Sequence, residues 1–414
     1  MSEIYDVVVI GAGAAGIGAG QRLARTQASF VLVEARGRVG GRAHTIQSHG
    51  EALDMGCHWL HSGDHNVMAE IAAAQGFDVN RSPAPWQRQS GHQGLSAGEE
   101  ADFGRTFAAF EKRVVEEAEK NPPVAASAYL EPGTRWAPMM NAVFSYISGA
   151  YLDHIDARDY ARYEDTGINY RITEGYGALF TSIASSLPLR LETEVNAIVC
   201  GVGHVSVRTN RGVIEARSVI VTLPTALYDR IQFTPDLPEK REAAAGLPLG
   251  NAEKLHFALE GAAEFPQDGH LFARFDRADI GSYHLRPMGR PMIEVYFGGP
   301  LAKGLAEAGP EAMQAFAFDE LTALLGADFP KRLSLRGATR WARDPYALGS
   351  YSHAEPGFAE MRAVLAAPVG ERLFFAGEAC SRNRYSTAHG AFETGLVAAE
   401  QALAALGYGS MPTG

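Results

Sequence analysis

A largely apolar run from Ile4 to Ile10 breaks into Gly11-Ala12-Gly13-Ala14-Ala15-Gly16, and a second apolar run, Phe30 to Val33, closes on Glu34. The order strand, glycine turn, helix, strand, acid predicts a dinucleotide-binding βαβ unit. Gly11 permits the tight turn, Gly13 lets the backbone approach a pyrophosphate, and Gly16 lets the helix pack close to the sheet. Unpaired N–H groups at the helix start, around Ala15, would face the anion, and Glu34 is placed to accept from ribose hydroxyls.

The run EARGRVGGRAHT continues from Glu34 and Ala35, setting Arg36, Arg38 and Arg42 around a second glycine pair, Gly40-Gly41. A second glycine turn carrying an arginine can wrap the far side of the same pyrophosphate, which suits a cofactor held along its whole length. This run resembles the second signature of FAD-dependent amine oxidases and their glutathione-reductase-like relatives.

Size and charge narrow the class. With 414 residues, 46% of them hydrophobic, the chain is long enough for at least two domains with a sizeable core. Its 37 basic and 48 acidic residues give a formal charge of −11, which argues against a nucleic-acid partner and is compatible with drawing in small cations. The start, MSEIYDVVVI, lacks the basic lead of a secretion signal, no apolar stretch is long enough to span a bilayer, and the tail LGYGSMPTG is polar. A cytoplasmic protein without a membrane is the expectation. Three widely spaced cysteines, Cys57, Cys200 and Cys380, fit reduced thiols and imply no metal.

Ser96 with Glu99 forms a possible capping box for a helix reaching about Lys120, striped by Phe103, Phe107, Phe110 and Val114. More helix follows through PMMNAVFSYISGAYL. The series LRLETEVNAIVC, HVSVRTNRG and EARSVIVTLP returns to sheet, and NAEKLHFALE, GSYHLRPM and PMIEVYFGG are further candidate strands. A helix opened by Pro310 and stopped at Gly326 carries Met313, Ala317, Leu321 and Leu324, and a last one carries Phe392, Leu396, Ala399 and Leu403.

The closing run FFAGEACSRNRYSTAHGAFETGLVAAEQAL resembles the C-terminal flavin signature of the flavin amine oxidases, which include polyamine oxidases and lysine-specific histone demethylases. Matching elements precede it in order: Glu174-Gly175-Tyr176, Val221-Thr222-Leu223-Pro224, and Trp341 followed by Asp344-Pro345-Tyr346 and Gly349-Ser350-Tyr351-Ser352. The resemblance implies that Glu378, after Gly377, bonds the ribityl chain. It directs the helix start at Thr387 and Ala388 to a flavin carbonyl. Val195 would hold the adenine edge, and Trp341 with Tyr346 would pack about the ring system. Read without the family, Lys254 is a solvated lysine on an edge strand; by the resemblance it holds a water beside flavin N5.

Ser350 stands where monoamine oxidases have a flavin-bonded cysteine, so noncovalent FAD is expected. Tyr351 matches one wall of an aromatic amine cage, whose opposite wall is Thr387 here. The run Met55-Gly56-Cys57-His58-Trp59-Leu60-His61 is similar to a GAHWIH element of acetylpolyamine oxidases, which would place Gly56, Cys57, His58 and Trp59 about the flavin and His58 near the substrate nitrogen.

The expected fold class is α/β: an FAD-binding dinucleotide domain (1–75, 186–245, 335–414) interleaved with an α+β substrate domain of mixed sheet plus helices (76–185, 246–334). The expected chemistry is oxidation of an amine, a secondary amine or polyamine in the first place, with molecular oxygen as oxidant. Two alternatives stay open: oxidation of an amino acid, porphyrinogen or polyene, with Arg286 or Arg290 available as a carboxylate clamp, and a flavin-bearing scaffold without turnover. No motif fixes an oligomeric state.

Overall fold

The computed structural model describes residues 4–87 and 95–408; the end of the polar tail, 409–414, lies outside the described residues. The chain begins with β1 (Tyr5–Ile10), α1 (Ala14–Leu23), β2 (Phe30–Val33), the hairpin β3 (Thr45–Ser48) and β4 (Glu51–Asp54), then β5 (Trp59–Leu60), α2 (Val67–Ala74) and β6 (Val79–Asn80). Helices α3 (Ala97–Glu117), α4 (Ala137–Ser148) and α5 (Ala157–Ala161) precede β7 (Tyr170–Ile172) and α6 (Tyr176–Ala184). Next come β8 (Leu189–Arg190), β9 (Val195–Cys200), β10 (Val205–Thr209), β11 (Gly212–Val221), β12 (Gln232–Thr234) and α7 (Pro238–Gly246). The middle holds β13 (Ala252–Leu259), β14 (Gly269–Phe272), β15 (Ser282–Leu285), β16 (Met292–Gly298), α8 (Gly299–Ala308), α9 (Pro310–Leu325) and β17 (Leu333–Ala338), and the chain closes with α10 (Met361–Ala366), β18 (Leu373–Phe375) and α11 (Ala388–Ala405).

The first, third and last parts of the chain build one sheet, ordered β12-β9-β10-β11-β1-β2-β8 with β18 beside β11. Its spine is parallel, β1 lying between β2 and β11, and the β9-β10-β11 meander is antiparallel. Val7, Val8 and Val9 are fully buried, because both faces of this sheet are covered. On one face α1 and α11 pack so closely that a Cβ on Gly395 would lie 1.9 Å from the Ala15 carbonyl oxygen, and one on Gly18 would lie 2.2 Å from that of Phe392. Glycine is required at both crossings. Helix α6 shares the α1 core through Tyr176, Leu179 and Phe180, although it falls within the 76–185 segment expected to belong to the other half.

The second sheet runs β14-β15-β16-β13-β17 and is antiparallel throughout. One face, with Leu255, Phe257, Ile293, Val295, Tyr283 and Leu285, packs on the Met313-Ala317-Leu321 stripe of α9. The strand period of two therefore sends Lys254, His256, Glu294, Tyr296 and His284 to the other face. Strand β17, which straddles the expected boundary at 335, pairs with β13 in this sheet. Lys254 consequently sits on an interior strand between β16 and β17, not on the edge strand that its sequence alone suggested. Ser96 and Glu99 form the capping box of α3, whose Phe110 and Val114 are fully buried against α4.

Candidate active site

The two glycine turns meet face to face. Gly11 has φ +100°, and a Cβ on it would strike Thr222 of the matched β11 end; Gly13 bridges to Gly40, and a Cβ on Gly41 would lie 3.1 Å from the Gly13 Cα. A Cβ on Gly16 would overlap the Gly11 carbonyl, which accounts for the third glycine of the pattern. The start of α1, with Ala15 in its first turn, therefore presents backbone rather than side chain, as an anion cradle needs.

Glu34 is buried, and its two oxygens accept from the Ala12 and Arg36 amides at 2.9 Å each, fixing the acid at the end of β2. Ala35, Arg36, Met55, Trp341, Asp344 and Tyr346 line a cleft of about 1110 Å³. Arg36 stacks over the Tyr346 ring at 5.3 Å, and the Tyr346 hydroxyl reaches Glu194, next to Val195 at the start of β9. The Trp341 indole donates to the Met55 carbonyl at 2.8 Å and lies against Gly56.

The arginine of the second glycine turn and the acid of the C-terminal run form one unit. Arg42 donates to Glu378 at 3.0 Å and to the Ser350 carbonyl. Burial raises the Glu378 carboxyl, but Arg42, Ser352, Arg362 and the Ser386 amide more than offset this and hold it below the usual range. Gly377, at φ +147°, has open space where a Cβ would stand. Thr387 caps α11 by accepting from the Gly390 amide at 3.0 Å, so the helix begins at Ala388 beside this unit. Backbone cradle, paired arginine and acid, aromatic cleft and capped helix start together fit a flavin dinucleotide. Among the described residues no group of three or more His, Cys, Asp or Glu suits a metal ion.

Lys254 is buried, donates to the Asp54 carbonyl at 3.2 Å, lies 3.6 Å from Glu294 Oε1 and stands 5.9 Å over the Tyr296 ring. The Tyr351 hydroxyl donates to the Tyr146 carbonyl, so the Tyr296 hydroxyl, 2.9 Å away, donates to Tyr351. Tyr146 in turn stacks with Phe272 at 6.0 Å and meets Tyr296 edge-on, extending the aromatic wall beyond Tyr351. Sequence reasoning missed Tyr296, Tyr146 and Glu294. For Glu294 and Tyr296 the only available signal was the alternation of PMIEVYFGG, which does not say which face looks inward, and Tyr146 lies on the helix α4.

His58 is buried with Nδ1 3.4 Å from Asp54 and 3.9 Å from Glu294, and Trp59 meets its ring edge-on at 5.2 Å. Asp54 also accepts from the Tyr176 amide at the start of α6, a favourable place for an anion. Its surroundings push the neighbouring Cys57 thiol up to about 12, which disfavours its thiolate. Ser350 is fully engaged with β13: its hydroxyl donates to the Ala252 carbonyl at 2.8 Å and accepts from the Ala252 amide at 2.7 Å. Arg286 and Arg290 are not free clamps. Arg286 donates to the Phe265 carbonyl, and Arg290 donates to the Ala52 and Thr173 carbonyls and pairs with Glu51.

Burial pushes His256 down to about 4, and His270 and His389 down to about 3. An unfolded imidazole takes up its proton near pH 6.5, so below that the unfolded state binds more protons and stability is lost as the pH falls. Each group is expected to cost about 1 kcal/mol per pH unit between about pH 6.5 and its folded value. The urea midpoint should therefore drop clearly from pH 7 to pH 5, and His270→Phe should flatten the drop; equal midpoints at the two pH values would count against neutral buried imidazoles.

Comparisons with known proteins agree with this geometry. The family model for flavin containing amine oxidoreductases matches residues 77–403, and that for an NAD(P)-binding Rossmann-like domain matches residues 9–74. The chain is 28% identical to probable polyamine oxidase 4 of Arabidopsis thaliana, over 95% of this chain and 86% of the relative. It is 29% identical to polyamine oxidase 3 of Oryza sativa subsp. japonica, over 97% and 89%. Cyclohexylamine oxidase from Brevibacterium oxydans IH-35A shares the fold, with a TM-score of 0.81 at 19% identity, covering 98% of this chain and all of that one. Among the described residues no helix is long and apolar enough to cross a membrane. With glycine turns that fit a dinucleotide, and with the family model matched over most of its length, this protein is a member of the flavin containing amine oxidoreductase family, an FAD-dependent amine oxidoreductase.

Proposed function

We propose that the protein oxidises an amine at the carbon bearing nitrogen, with a secondary amine or polyamine as substrate, and that water then releases an aldehyde and a smaller amine. Bound FAD supplies the electron acceptor, and molecular oxygen regenerates it with formation of hydrogen peroxide. The observation that carries the reading is the buried Lys254 ammonium beside the Tyr296–Tyr351 pair. Aromatic faces attract a cationic amine, and the Tyr146 and Phe272 rings add to the Tyr296 ring, a set of aromatic faces that suits a long, repeatedly cationic substrate. Similarity to two plant polyamine oxidases supports the same substrate class.

Within this reading Lys254 holds a proton and orients water where the amine carbon reacts. Trp59 and the aromatic wall exclude bulk water, and Tyr351 fixes the approach of the nitrogen. His58 lies beside Glu294, the carboxylate that pairs with Lys254, and belongs to the same site. Glu34, Ala35 and Val195 would hold the adenosine end, and Arg42, Gly56, Trp341, Tyr346, Gly377, Glu378, Thr387 and Ala388 would hold the remainder. Amino-acid oxidation is disfavoured by the engagement of Arg286 and Arg290 with backbone carbonyls. The three free cysteines support a reducing compartment, for which the cytoplasm is the natural choice.

Anaerobic mixing of the yellow protein with diamines, polyamines, monoamines and amino acids, followed by flavin absorbance, tests the substrate class. Rapid bleaching by polyamines is the expected result. Bleaching by amino acids alone, or by nothing, would overturn the proposal. Acid precipitation should leave a colourless pellet and a yellow supernatant, because Ser350 offers no sulfur for a flavin thioether; yellow retained in the pellet would contradict noncovalent binding.

A further inference from the structure

The second sheet buries a carboxylate on an otherwise self-sufficient strand. Register pairs Lys254 with Tyr296 and His256 with Glu294, so Glu294 is the diagonal neighbour of Lys254 on the same face. Its Oε1 lies 3.6 Å from Lys254 Nζ, and its Oε2 lies 3.6 Å from His256 Nδ1 and 3.9 Å from His58 Nδ1. His284, opposite Glu294 on β15, bonds Asp268 at 3.0 Å, and Asp268 in turn pairs with Arg171. Among the described residues Lys254 is thus the only lysine or arginine at ion-pair distance from Glu294.

Burial raises the Glu294 carboxyl, but its electrostatic surroundings, Lys254 first among them, more than offset this and hold it well below the usual range. It remains an anion across the working pH range. A well-packed apolar residue at 294 would commonly give equal or greater stability than a buried ion pair. The reverse face of the same two strands, Leu255, Phe257, Ile293 and Val295, is packed in that way. The charge at 294 therefore calls for a reason other than stability, and its only lysine or arginine partner is the side chain on which the proposed chemistry rests.

We propose that Glu294 is the positioning residue for Lys254, a fixed anion on β16 that, with the Asp54 carbonyl, holds the Lys254 ammonium in one place. The lysine stem has four rotatable bonds, and one carbonyl contact leaves the head free to swing about it. A second anchor on the neighbouring strand removes that freedom, and the His256 and His58 rings lie beside the carboxylate at 3.6 and 3.9 Å. Both anchors lie at strand positions, not in flexible loop. The inference rests on the role given to Lys254 above.

The test is a double-mutant cycle in the FAD-loaded enzyme using Glu294→Gln, Glu294→Asp, Lys254→Met and the Lys254→Met/Glu294→Gln pair. Glu294→Gln should lower kcat on the order of tenfold, less than the loss of a direct proton-transfer group, with KM within about twofold. Glu294→Asp, which keeps the charge, should recover most of that loss. In the Lys254→Met background Glu294→Gln should have no further kinetic effect. It should also raise the melting temperature, because Lys254→Met alone leaves Glu294 without its cation. The melting-temperature cycle needs no turnover and serves if the Glu294→Gln protein proves too unstable for kinetics. Multiplicative rate losses together with additive melting shifts would overturn the proposal. If Lys254→Met itself left both half-reactions unchanged, the Lys254 reading would fall, and with it this one; a slow Lys254→Met enzyme beside a fully active Glu294→Gln enzyme would remove Glu294 alone.

Discussion

Lys254→Met is expected to leave FAD bound and the yellow colour intact while slowing flavin reduction by amine, or its reoxidation, by about a hundredfold or more. The size follows from the position of the ammonium: it is buried, its donors reach one carbonyl and one carboxylate, and it stands over the Tyr296 ring of the proposed amine-binding wall. The retained colour follows from the distribution of contacts, because the Lys254 ammonium bonds the Asp54 carbonyl and pairs with Glu294, and neither belongs to the proposed dinucleotide cradle of Gly11, Gly13, Gly41, Arg42 and Glu378. Stopped-flow mixing under anaerobic and aerobic conditions separates the two half-reactions. Unchanged rates in both would remove Lys254 from the chemistry.

The second large effect is expected at Arg362, whose replacement by Met should destabilise the protein by about 3–5 kcal/mol, the usual result of leaving a buried charge without its partner. Arg362 and Asp159 are each 1% exposed and form a bidentate pair at 2.6 and 2.8 Å, with Tyr385 stacked on the guanidinium. The remaining nitrogen donates to the Ser352 hydroxyl, which donates to Glu378, which accepts from Arg42. One buried chain of charge and hydrogen bonds thus runs from α5, through α10, to the second glycine turn. Arg362→Met should therefore also loosen FAD. Urea unfolding and flavin release by dilution measure the two effects, and a loss below about 1 kcal/mol would contradict the network. Replacing Asp159 and Arg362 together by leucine should cost less than the single change, because no buried charge is left unpaired.

The parts of the protein legible in the sequence are those governed by near neighbours in the chain. The βαβ unit follows from glycine spacing and two apolar runs, the α3 start from Ser96 and Glu99, and the limits of α9 from Pro310 and Gly326. Each rests on backbone geometry within a few residues. Arg42 and Glu378 could each be named from their surrounding motifs, although the ion pair between them could not.

What escaped the sequence depends on which strand lies beside which. Glu294 and Tyr296 alternate with Ile293 and Val295 as solvent-facing residues would, and Lys254 reads as a surface lysine. Placing β13 between β16 and β17, and covering the polar face with the Asp54–Trp59 segment, converts the same alternation into a buried site. The sequence by itself determined the nucleotide fold, the glycine cradle and the flavin signatures, because these are local patterns of turn and period. Only the tertiary structure decided which charges are paired in the interior, because strand register and dehydration are set by contacts far apart along the chain.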